Sequence, residues 1–168
     1  MTVGDSFDQP LDSLRRYHSL THLTIGDNFD KSIDSLREFG SLTHLTIGDS
    51  FNQPIDSLQS TSITHLTIGY NFNQSIENLP ESITHLTIGD RFNQPITLPE
   101  SITHLKVGNN FDQPINLPES ITHLTFGCGF NQPITLPKFL THLTFEKGRF
   151  LLSYCFNHQL FFQNPSLI

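Results

Sequence analysis

The chain has 168 residues, a formal net charge of -7, 36% hydrophobic and 15% charged residues, 15 phenylalanines and no tryptophan. That length allows one domain and hardly two, and the acidic balance argues against nucleic acid as a partner, because phosphate binding needs Lys and Arg. The low apolar and charged fractions are made up by Ser, Thr, Asn, Gln and His, the skew of one unit copied many times.

No apolar run approaches the ~20 residues of a membrane span. The start, MTVGDSFDQP, lacks a basic region followed by an apolar stretch. A cytoplasmic protein without membrane contact is therefore expected. Two cysteines, Cys128 and Cys155, make no disulfide framework and fit a reducing compartment.

The repeat begins at the first residues. Thr-His-Leu recurs with its histidine at His22, His44, His65, His85, His104, His123 and His142, spaced 22, 21, 20, 19, 19 and 19 residues apart. In step with it run Phe7, Phe29, Phe51, Phe72, Phe92, Phe111 and Phe130, each preceded by a glycine three residues earlier, from Gly4 to Gly127. A period near 20 is too short for a helical hairpin and suits one turn of a β-containing solenoid.

Within the unit, Ile-Thr-His-Leu-Thr-Ile predicts a short strand, in which Leu and the following Ile alternate with His and Thr. Leu66 and Ile68 are expected inward, His65 and Thr67 outward. Glycine then ends the strand where the chain turns, Phe returns to the core, and Gln-Pro fixes a bend. Ile55, Ile76, Ile96, Ile115 and Ile134 re-enter the core. Early units carry a longer return, such as Asp34-Ser35-Leu36-Arg37-Glu38-Phe39, which predicts a helical turn capped by Asp34. Later units use Leu-Pro-Glu-Ser, as at Leu98 to Ser101, and read as extended.

Ile63-Leu66-Ile68 and Ile102-Leu105-Val107 match the strand half of a leucine-rich repeat. The full unit resembles the FNIP repeat, through Phe-Asn-Gln-Pro at Phe51 to Pro54, Phe92 to Pro95 and Phe130 to Pro133, and Phe-Asp-Gln-Pro at Phe7 to Pro10 and Phe111 to Pro114. Phe29-Asp30-Lys31-Ser32 and Phe72-Asn73-Gln74-Ser75 depart, both by a serine in place of the proline and the first also by a lysine in place of the glutamine. The resemblance implies proteins of social amoebae and of giant viruses that infect amoebae. It also implies substrate recruitment to a cullin-type ubiquitin ligase, through an N-terminal F-box that family members often carry. Here Thr2-Val3-Gly4 already fills the strand-end and glycine positions, so the first unit is expected to start mid-strand. The expectation is a β-rich, leucine-rich-repeat-like solenoid with one short parallel strand per 19–22-residue coil. It has about seven coils over residues 1–145, the first incomplete, and a degenerate capping segment over 146–168, where Phe156-Asn157-His158-Gln159-Leu160 is a worn copy of the motif.

Catalysis finds little support. Gly-x-Ser-x-Gly, a P-loop, His-Glu-x-x-His and Cys-x-x-Cys are all missing, and nearly every His, Asp and Thr is one copy of a row. Neighbouring coils about 4.8 Å apart stack imidazoles instead of converging them on one ion, so the His and Phe columns read as structural, and no cofactor or metal is expected. The Thr row from Thr24 to Thr144, interrupted by Lys106, is explained by β-propensity. The column Asp8, Asp30, Asn52, Asn73, Asn93, Asp112 and Asn131 mixes groups of which ionised Asp cannot donate, so it is expected to accept backbone N–H bonds.

The variable pair after each strand's glycine is where recognition is expected. Asp5, Asp27, Asp49, Tyr70, Asp90 and Asn109 lead these pairs and form an acidic stripe with one aromatic residue. The expected function is a non-catalytic protein-interaction scaffold for a partner with a basic surface. The open N-terminal strand edge offers a route to self-association. The competing reading is a structural repeat array, or a gene fragment, with no dedicated partner.

Overall fold

A computed structural model describes residues 1–146. Its strands are β1 (Thr2–Val3), β2 (His22–Ile25), β3 (His44–Ile47), β4 (His65–Ile68), β5 (His85–Ile88), β6 (His104–Val107), β7 (His123–Phe126) and β8 (His142–Phe145). They form one parallel sheet in sequential order. Each strand pairs with the next in strict register, His22 with His44, His44 with His65, and so on to His142. The chain is thus a β-solenoid of about seven turns with about 20 residues per turn. The expected cap over 146–168 lies, apart from Glu146, outside the described residues.

Register is dictated by side-chain period. A slip of one residue would send every Leu and Ile to solvent and every His and Thr inward. Leu23, Leu45, Leu66, Leu86 and Leu105 are accordingly 1–2% exposed. The phenylalanines from Phe29 to Phe130 are buried in a second column beneath the sheet. Successive rings from Phe7 to Phe130 stack with centroids 5.9–6.1 Å apart. Phe7 is only half-buried, because it lies in the first coil and packs on one neighbour. Leu143 of β8 is likewise half-buried. In the seventh coil Phe126 replaces the strand's Ile and stacks on Phe130 at 3.9 Å.

The back of the solenoid changes along its length. Short 3-10 turns occupy Leu11–Leu14, Asp34–Glu38 and Asp56–Ser60, and the later returns have none. Asp34 does not cap its turn as expected. It is the turn's first residue, after Ile33 at the cap position, and its backbone N–H donates to Ser32 Oγ at 3.1 Å.

The recurring glycine is needed for close approach between coils. A Cβ on Gly69 would lie 2.6 Å from Gly48 C and 2.6 Å from Asp49 Oδ1 of the preceding coil. On Gly4, in the first coil, a Cβ would meet nothing within 4 Å. The turn itself demands no unusual backbone angle there. The crowding comes wholly from the coil beneath.

Candidate interaction surface

Four sets of contacts recur from coil to coil along the solenoid. The first is the Asn/Asp column. Asp8 Oδ1 accepts from Asp30 N–H, and the pattern continues at 2.8–3.0 Å through Asp30 to Asn52, Asn52 to Asn73, Asn73 to Asn93, Asn93 to Asp112 and Asp112 to Asn131. The expected acceptor role is present, but the donor belongs to the next coil. The same oxygens also accept from the glutamine that follows two residues after most column phenylalanines, Gln53, Gln74, Gln94, Gln113 and Gln132, at 2.9–3.2 Å, while Lys31 takes that place after Phe29 and pairs with Asp8. The glutamine's signal was its recurrence.

Asn73→Ala removes two such bonds and is expected to cost about 1–2 kcal/mol in urea unfolding, at roughly 1 kcal/mol per bond. Asn73→Asp keeps the acceptor and is expected to stay near the parent.

The second ladder, also missed, is serine. Ser82, Ser101 and Ser120 hydroxyls donate to the carbonyls of Ile63, Ile83 and Ile102 at 2.6–2.7 Å.

The third is the histidine column on the outer strand face. Its seven rings stack with centroids 4.0–4.1 Å apart and planes within 9–15° of parallel. Each Nδ1 lies 2.8–2.9 Å from Oγ1 of the threonine just before it. From Thr43 onward that hydroxyl also sits 3.0–3.3 Å from the carbonyl of the matching threonine one coil earlier. Burial in the stack holds His44, His85 and His104 below the usual imidazole range, and the charges of neighbouring column histidines add to it. Beside the column, Lys106 takes a threonine position, paired in register with Thr87 and Thr125. Its Nζ reaches Glu146 Oε1 at 2.6 Å across two coils.

The fourth ladder is the rim, where recognition was expected. The stacked coils bring its residues side by side. Asn28 N–H bonds Asp5 O, Ser50 bonds Asp27, Asn71 bonds Asp49, Arg91 bonds Tyr70 and Asn110 bonds Asp90, all at 2.8–3.1 Å. Asp5, Asp27, Asp49 and Tyr70 are exposed, whereas Asp90 and Asn109 are half-buried. Part of the stripe is turned to structural use. Asp49 Oδ1 accepts from Tyr70 N–H at 3.0 Å, Asp90 accepts from Asn109 N–H and Nδ2, and Asn109 Oδ1 accepts from Cys128 N–H. Arg91 lays its guanidinium 5.4 Å from the centre of the Tyr70 ring, which is 44% exposed, so a cation interrupts the acidic row at the aromatic residue.

Among the described residues, no helix is long and apolar enough to cross a membrane.

Comparison with known proteins agrees with this geometry. The FNIP repeat model matches residues 60–91, 72–97 and 92–129. No curated protein sequence matches the chain. Among solved structures, the giant-virus protein CroV588, described as a novel circular LRR protein, is similar with 46% identity and a TM-score of 0.72 over 86% of this chain. The chain spans only 23% of that protein's length. Residues 60–129 thus match the FNIP repeat, within a parallel-stranded solenoid whose fold is leucine-rich-repeat-like.

Proposed function

We propose that the chain is a non-catalytic scaffold that binds another protein along the rim after each strand. The observation that carries this is the lockstep display of Asp5, Asp27, Asp49 and Tyr70, exposed on consecutive coils. A like-signed row attracts an oppositely charged partner, and an exposed aromatic beside it is the residue type that dominates interface energies. The partner in this reading presents a basic surface, and exposed charge pairs of this kind weaken with salt. Recruitment of a ubiquitin-ligase substrate in the cytoplasm is the family-level form of the proposal. Self-association through the edge of β1 is a second contact it allows.

The test keeps the residues that hold the coils together. Asp90 stays, because its oxygens bond the next coil. Asp5→Lys, Asp27→Lys and Tyr70→Ser are combined, and the variant and parent are compared by affinity capture from native cells at two salt concentrations. The variant is expected to lose the parent's salt-sensitive partner while keeping its circular dichroism spectrum. If it retains every partner of the parent, the rim is not the binding surface and the structural array becomes the better reading.

A further inference from the structure

The outer strand face carries a second feature, separate from the rim. Consider the histidine column once its rings are protonated. Both ring nitrogens then bear hydrogen. Nδ1–H donates to the threonine Oγ1 at 2.8–2.9 Å, and from Thr43 onward the hydroxyl hydrogen has the carbonyl one coil earlier to turn to, 3.0–3.3 Å away. The inward half of each imidazolium is therefore satisfied without any change of conformation. Nε2–H lies on the opposite edge of each ring, and no described residue accepts from it.

The charges that bear on this column are few. Each ring faces the rings of the neighbouring coils, beside the row on the same strand face lies Lys106, paired with Glu146, and at the column's first residue the Met1 ammonium donates to His22 O at 2.8 Å. No column imidazole has an ion-pair partner among the described carboxylates. A protonated column is thus a row of like charges, one per coil with ring centroids 4.0–4.1 Å apart, and with no counterion among the described residues. An external chain of anions would meet that charge and offset the repulsion between rings. Without protons on the column, a chain of formal net charge -7 offers a polyanion no such attraction.

We propose that the column from His22 to His142 is a proton-gated docking face for a linear polyanion. A flexible chain fits better than a compact anion, because it follows the row and adjusts its own charge spacing to the coils. The ligand binds the protonated face, so binding takes up protons and strengthens as pH falls.

The probe is long-chain inorganic polyphosphate, whose internal phosphates stay charged from pH 7.5 to 5.5. Its binding to the full chain is measured by titration calorimetry at both pH values and at constant ionic strength, with circular dichroism recorded alongside. Affinity is expected to rise about tenfold or more, since one proton taken up per pH unit corresponds to tenfold. Replacing His65, His85 and His104 with Gln is expected to bring the pH 5.5 affinity back toward the pH 7.5 value. His85→Gln alone serves should the triple variant not fold. Lys106→Thr is expected to keep the pH dependence. Equal binding at the two pH values, undiminished acid binding by the folded Gln variant, or a parent already unfolded at pH 5.5 would each overturn the proposal.

Discussion

Phe92→Ala is expected to lower the unfolding free energy by about 3–5 kcal/mol, the range for emptying a fully buried aromatic site. Phe92 is 0% exposed and lies between Phe72 and Phe111, with ring centroids 6.1 and 5.9 Å away. Neither neighbour can move into the gap freely, because each is held by its own coil's strand register, the coil of Phe72 also by the Asn93 and Gln94 bonds to Asn73 Oδ1 and that of Phe111 by the Asp112 and Gln113 bonds to Asn93 Oδ1. Loss at one coil also weakens the interfaces on both sides, since a solenoid's stability is approximately a sum of repeat and nearest-neighbour terms. Urea unfolding of parent and variant measures the difference. Phe139→Ala is the matched control. Phe139 is 70% exposed, and its truncation is expected to stay within about 0.5 kcal/mol of the parent. A loss below about 1 kcal/mol at Phe92 would mean that the phenylalanine column is not the packed core.

The second large effect concerns acid. Burial in the stack holds His44, His85 and His104 in the folded chain below the usual imidazole value of about 6.5. The unfolded chain then takes up protons first as pH falls. Stability is fully present above about 6.5 and is lost as pH drops from there toward the folded values. Below those values the loss is complete and the curve flattens. Asp8 behaves in the opposite sense and in another window. Its hydrogen bond from Lys31, then that from Asp30 N–H, lowers its pKa from 3.8, so its contribution is present above that value and lost below it. A melting temperature that falls between pH 7.5 and 5 therefore reports the histidines. Replacing His44, His85 and His104 with Gln is expected to shrink that fall. An unchanged parent melting temperature over the interval would show that the stack carries no such linkage. Burial within the stack is the main cause of the shift, and repulsion from neighbouring charged rings is the lesser one.

Much of this molecule is legible one unit at a time. Alternation in His-Leu-Thr-Ile settles which residues face the core, and the fixed step from His to Phe settles that the columns are continuous. The departures are equally local: Lys106 in the threonine row and the long returns of the early coils are visible as breaks in the repeat. The sequence by itself therefore determined the period, the strand, its buried face and the residues that share each column. Every feature that depended on two coils was decided only by stacking. The glycine reads as a turn residue until the preceding coil's backbone is seen to fill the space where a Cβ would go. Asn73 reads as an acceptor, but its donors are Asn93 N–H and Gln94 Nε2, about 20 residues on. Asp90 reads as a free rim carboxylate, yet it holds Asn109. A one-dimensional pattern shows which residue types recur. Which donor meets which acceptor, and which charge stays free for a partner, depends on the in-register approach of neighbouring coils, and that exists only in three dimensions.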